Sequence, residues 1–140
     1  MKVLIADDDP VSRRLLESYL RKWDYQVEVT TDGEQAWQKI QDEEFPIVIC
    51  DWMMPKIDGP DLIRRIREQT EHGYIYTILL TSKTNKGDFV EGMESGADEF
   101  VSKPFDHDEL HARLRAAERI VNLERSLRAA KAVLERDAKG

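Results

Sequence analysis

Apolar positions fall into five short runs, separated by stretches in which they recur every three or four residues. The runs are Val3 to Ala6, Val27 to Val29, Ile47 to Cys50, Ile78 to Leu80, and Phe100 to Val101. The first, third and fourth are nearly continuous in Val, Ile and Leu, the pattern of strands covered by helices on both faces of a parallel sheet. The second alternates as Val27-Glu28-Val29, in the manner of an edge strand. The fifth is the shortest.

The intervening stretches carry helix signals. Asp9 is placed to cap a helix whose first position is Pro10, where the missing N–H costs nothing. Val11, Leu15, Leu16, Tyr19, Leu20 and Trp23 follow at helical spacing. Ala36, Trp37 and Ile40 form a shorter stripe after the Asp32-Gly33 turn or cap. Leu62, Ile63 and Ile66 follow Gly59-Pro60, and Phe89, Val90 and Met93 precede Gly96. From Asp106 onward no Pro or Gly interrupts the chain before Gly140, so the last helix is expected to be much longer than the rest. Alternating strands and helices imply a doubly wound α/β sheet with right-handed crossovers.

The 140 residues suit one domain with a sizeable core. A net charge of -7 argues against direct nucleic-acid binding, which needs clustered Lys and Arg, and against an anionic membrane surface. The opening apolar run ends in acid after four residues, too short for a signal peptide or a membrane span, and a cytoplasmic location is expected. Cys50 is the single cysteine. It precedes Asp51 and so points to the opposite face, as a buried small hydrophobe.

Chemistry gathers where the strands stop. The first ends in Asp7-Asp8-Asp9, the third in Asp51, the fourth in Thr81-Ser82 and the fifth in Lys103-Pro104. Open α/β sheets bind ligands outside the carboxyl ends of their strands. Carboxylates brought together there repel one another and call for a cation, and an open rim with few protein ligands suits Mg²⁺. A carboxylate nucleophile beside a lysine and a hydroxyl is the equipment of phosphoryl transfer through an aspartyl phosphate. Taken singly, each residue has a plainer reading: a solvated turn, a helix cap, a strand end, a surface lysine. The combination at four strand ends carries the inference.

Asp7-Asp8, Asp51 with Met54-Pro55 and Gly59 after it, Thr81, and Lys103-Pro104-Phe105 together resemble the receiver domain of two-component response regulators, CheY-like, across residues 1–120. The resemblance implies a flavodoxin-like, five-stranded parallel sheet of order 2-1-3-4-5. It implies that Asp51 accepts phosphate from a histidine kinase or phosphotransfer protein. Asp8 would bind Mg²⁺ directly and Asp7 through water, with Asp51 and the Met53 carbonyl completing the protein ligands. Lys103, after which a cis peptide bond is expected, would contact the phosphoryl group. Thr81 would move toward the phosphate and Phe100 would rotate inward with it.

Two positions depart from the common pattern. Phe100 stands where tyrosine is frequent and has no hydroxyl for a partner. Met53 has no side-chain group to hold a hydrolytic water, so a long-lived aspartyl phosphate is expected. Met53 also argues against a phosphatase of the haloacid-dehalogenase type, which has a second Asp at that position. The complete set of acceptor, acidic pair, Thr and Lys argues against a pseudo-receiver serving only as an interaction module. The domain is thus expected to catalyse only its own phosphorylation and dephosphorylation.

His107 and His111, four apart with no third ligand, read as a helix surface, and His72 carries no signal. Trp23, Trp37 and Trp52 read as packing residues, Trp52 with partial exposure beside the acceptor. Along the final helix, Leu110, Leu114, Ala117 and Val121 form a stripe suited to packing on the sheet. A second stripe, Ile120, Leu123, Leu127, Ala130 and Leu134, is spaced 3, 4, 3, 4 and reads as a heptad seam. Residues 121–140 are therefore expected to be a helical extension through which the chain forms a homodimer. The alternative is a solvated, fraying tail. The extension resembles the signalling helix joining a receiver to an output domain such as a diguanylate cyclase or a phosphatase.

Overall fold

The structure, a computed structural model, describes residues 1–69, 72–82 and 86–139. Five strands alternate with five helices: β1 (Lys2–Ala6), α1 (Pro10–Lys22), β2 (Gln26–Thr30), α2 (Gly33–Asp42), β3 (Ile47–Asp51), α3 (Gly59–Glu68), β4 (Tyr76–Thr81), α4 (Lys86–Glu94), β5 (Glu99–Ser102) and α5 (His107–Lys139). The strands form one sheet of order β2-β1-β3-β4-β5, parallel at every pairing. The doubly wound order expected from the resemblance is present. Gly140, the last residue of the expected extension, lies outside the described residues.

Alternate residues of each strand serve opposite layers. Val3, Ile5, Ile47, Ile49, Ile78 and Leu80 meet Leu16 and Leu20 of α1 and the first stripe of α5. Leu4, Ala6, Val48, Cys50 and Leu79 face the other way, onto Ala36 and Ile40 of α2 and Leu62, Ile63 and Ile66 of α3. Cys50 is fully buried, and burial pushes its thiol well above the usual range. Both layers converge on β3, the central strand, whose five residues are all buried.

Local signals set the helix starts. Asp9 accepts a hydrogen bond from the Val11 N–H at 3.1 Å with Pro10 next in line. Asp32 and Asp58 cap α2 and α3 in the same way.

Three packing expectations need correction. Val11 is 76% and Leu15 43% exposed. They lie about 140° and 100° around α1 from Leu16, which with Leu20 is the line that touches the sheet. Phe89, Val90 and Met93 also face outward. Helix α4 approaches through Gly92, where a Cβ would stand 3.1 Å from both Leu79 and Phe100, so its bulky residues occupy the outer side. Trp52 is the packing residue expected, but without the partial exposure: it is 3% exposed, with its ring edge-on to Phe100 at 6.3 Å. Trp37 is partly buried against the core, as is Trp23, on which His111 stacks at 4.2 Å.

An unforeseen clamp closes the end of the sheet remote from the strands' carboxyl ends. Arg67, in the last turn of α3, donates to the carbonyls of Gly96 and Ile75, to the Thr77 hydroxyl and to Asp98. Asp98 also accepts from the Thr77 N–H at 2.8 Å and from the Tyr74 hydroxyl. One guanidinium thereby ties α3, β4 and the turn before β5 together.

Candidate functional site

The carboxyl ends of β1, β3, β4 and β5 lie side by side, and the residues following them make a small acidic basin. Asp7 is fully buried and Asp51 is 8% exposed, whereas Asp8 faces solvent. One carboxylate oxygen from each of Asp7, Asp8 and Asp51 lies within 4.8 Å of the other two. Lys103 Nζ donates to Asp7 Oδ2 and to Asp51 Oδ2, both at 3.1 Å.

The backbone holds these groups from several sides. Asp7 receives the Asp9 N–H on Oδ1 at 3.0 Å, and its carbonyl accepts from Arg13 of α1, a supporting contact that the sequence did not disclose. The Trp52 N–H donates to the Leu80 carbonyl at 2.8 Å and the Gly59 N–H to the Trp52 carbonyl at 2.8 Å, folding the chain sharply after Asp51. Gly59 is required there, because a Cβ would stand 2.5 Å from the Asp51 carbonyl oxygen. On the far side the Lys103 N–H donates to the Thr81 carbonyl at 2.7 Å, and the Lys103-Pro104 peptide is cis as expected.

Electrostatics makes Asp51 the unusual member. Burial pushes its carboxyl up to about 6, against the pull of the Lys103 ammonium, and the Asp7 carboxylate adds to the rise. Burial works to lower the Lys103 ammonium, yet Asp51 and Asp7 together hold it above its ordinary value. One cation serves two carboxylates in a largely dry basin, with a third carboxylate at the rim.

The remaining predicted residues occupy the surroundings of the basin. Thr81 ends β4 and is 1% exposed. Phe100 of β5 is half-buried, edge-on to Phe89 at 5.4 Å and to Trp52 at 6.3 Å. Met53 presents its side chain to solvent, 62% exposed, at the mouth. His107 and His111 are remote from this rim, their rings packed on Tyr19 and Trp23.

A flavodoxin-like sheet with carboxylates and a lysine at its switch point places a charged basin where folds of this class bind their ligands. Residues 3–115 match the family model described as the response regulator receiver domain, and the chain belongs to that family. Over 117 residues, 83% of this chain and 18% of its relative, it is 42% identical to Protein RcaC of Microchaete diplosiphon. Its fold superposes on a putative response regulator from Chloroflexus aurantiacus with a TM-score of 0.79 at 33% identity, covering 83% of this chain and 95% of the other. It also matches the receiver domain of the sensor histidine kinase PA1611 from Pseudomonas aeruginosa, a structure described with a magnesium ion in its active-site cleft. There the TM-score is 0.75 at 27% identity, covering 86% of this chain and 97% of the other. The chain spans half or less of the length of the curated relatives it matches. Receiver domains act as phosphorylation-driven conformational switches and not as general enzymes. Among the described residues no helix is long and apolar enough to cross a membrane.

Proposed function

We propose that Asp51 is the phosphoacceptor of this receiver, with Asp7, Asp8 and the Met53 carbonyl as its partners in holding Mg²⁺. The observation that carries the reading is the double contact of Lys103 with Asp7 and Asp51, which marks the basin as a place built for a cation. Three hard carboxylate oxygens within 4.8 Å on an open rim fit a small divalent ion that keeps several waters. The chemistry such an ion supplies is neutralisation of charge beside an incoming phosphoryl group.

The chain's own residues perform the transfer. An Asp51 carboxylate oxygen attacks the phosphorus of a phosphohistidine on a histidine kinase or phosphotransfer protein. The P–N bond breaks with its electron pair going to nitrogen, the imidazole, already protonated on its other ring nitrogen, leaves as the neutral ring, and an acyl phosphate remains on Asp51. Lys103 exchanges its carboxylate contact for a phosphoryl oxygen, and the Thr81 hydroxyl donates to another. Movement of Thr81 vacates space toward which the Phe100 ring turns, changing the surface formed by α4 and β5.

Residues 1–120 form the receiver body in this reading and residues 121–140 the signalling extension. Ile120, Leu123, Leu127 and Leu134 are exposed along one side of α5 at 44%, 69%, 70% and 68%. A second copy of the chain, presenting the same seam, is the occupant proposed for them. An output domain such as a diguanylate cyclase or phosphatase would receive the signal beyond the extension.

The deciding experiment combines Mg²⁺, a small phosphodonor, intact-mass measurement and sizing. The wild-type chain should gain one phosphate and associate, while Asp51→Asn should do neither. A phosphate gained by Asp51→Asn at the wild-type rate would refute the assignment.

A further inference from the structure

Helix α5 uses two of its sides beyond the receiver body. The stripe that packs on the sheet, Leu110, Leu114, Ala117 and Val121, is buried to its end. The same line continues through Glu124, Arg125 and Arg128, at the i+3, i+4 and i+7 positions from Val121. These three charged residues border a cleft beneath the amino-terminal ends of β3 and β4, whose opposite wall includes Phe45, His72 and Gly73. The cleft is at the end of the sheet remote from Asp51.

Arg128 meets the body at Gly73. A Cβ built on Gly73 would collide with the Arg128 guanidinium, so the absence of a side chain there provides the seat. Arg128 has no ion pair among the described residues. Its contact is made end-on, with Nη1 occupying the space that a side chain at Gly73 would take while the rest of the residue stays exposed to solvent. The exposed seam of Ile120, Leu123 and Leu127 lies about 130° around the helix from this line, so seating on the body leaves it open.

We propose that the Arg128–Gly73 seat is a latch that joins α5 rigidly to the receiver body as far as residue 128. It fixes the direction in which the seam is presented to a second copy. Beyond Arg128 residues 129–138 are exposed, and the last turns rely on their own propensity or on a partner. The latch itself stands independently of phosphoryl transfer at Asp51. Only its consequence for presentation rests on the proposed pairing.

Amide hydrogen exchange on the full chain tests it, in a Leu127→Glu background that removes the seam as a source of protection. Amides of residues 122–128 should exchange at least about tenfold more slowly than those of 132–138. Arg128→Ala should raise the rates across 122–128 several-fold, although alanine is the better helix former. Gly73→Leu should do the same by displacing the guanidinium. Amides of β3 and β4 report whether the body remains folded, and if Gly73→Leu disturbs them, Arg128→Ala decides alone. Equal exchange in 122–128 and 132–138 in the parent, or rates unmoved by Arg128→Ala, would overturn the latch. Sedimentation of the chain without Leu127→Glu measures pairing separately, so failure of one reading is not mistaken for failure of the other.

Discussion

Lys103 and Asp51, 52 positions apart in the chain, meet at 3.1 Å through Nζ and Oδ2, and the same ammonium lies 3.1 Å from Asp7. Lys103 is 17% exposed in its side chain, Asp51 12% and Asp7 0%, so the triad has little water to share its charge. Removing the cation leaves two buried carboxylates facing one another. Lys103→Ala is expected to lower the stability of the metal-free protein at pH 7 by about 1–3 kcal/mol in urea unfolding. The variant should still bind Mg²⁺ but couple phosphate poorly to association. Normal phosphate-driven association in Lys103→Ala would defeat the proposed role of this residue.

The raised Asp51 value, about 6, has a definite consequence for pH. A carboxyl raised by folding holds its proton more tightly in the folded than in the unfolded chain. Its contribution therefore favours folding below about pH 4 and is lost as pH climbs to about 6, by up to about 3 kcal/mol. Asp51→Asn removes this titration. In metal-free buffer the variant should gain on the wild type progressively across that window and hold a constant advantage above it. A stability difference that is the same at pH 4 and pH 7 would contradict the assignment.

Met53, exposed at the mouth of the basin two residues after the acceptor, offers no side-chain hydrogen bond to a water attacking the phosphoryl group. The aspartyl phosphate should persist for minutes or longer, and Met53→Asn should shorten its life several-fold at unchanged phosphate acceptance. A time course of phosphate release with Mg²⁺ present measures both, and loss from the wild type within seconds would be the opposite result.

Leu127 is the most exposed of the large apolar residues of the α5 seam, at 70%. Leu127→Glu should abolish association in sedimentation while leaving the phosphate gained per chain unchanged. Undiminished association would move the contact elsewhere, with the exposed Phe89, Val90 and Met93 of α4 as the next surface to alter.

Much of this was legible in the chain because period and turn chemistry are local signals. Five apolar runs located five strands, and Asp9-Pro10 and Asp32-Gly33 marked helix starts. The burial of Leu110 through Val121, and the exposure of Leu123 and Leu127, followed from two offset stripes on one helix. The acidic residues and Lys103 could be brought together only by assuming the strand order, which resemblance supplied and periodicity did not. Arg67 and Asp98 illustrate what stays hidden. Each reads as an ordinary surface charge, and their pairing depends on the α3 terminus and the turn before β5 meeting in space. Helix α4 was misjudged for a related reason. Its apolar residues had helical spacing, but the close approach was made through Gly92, which carries no apolar signal at all.

Trp52 adjoins the acceptor in sequence, is sealed from solvent, and sets its indole edge-on to the ring of Phe100. Any rotation of that phenyl group alters the surroundings of a native fluorophore. Under the proposed switch Trp52, one of three tryptophans in the chain, would serve as an optical gauge whose emission follows ion uptake and phosphate turnover in real time, without a dye.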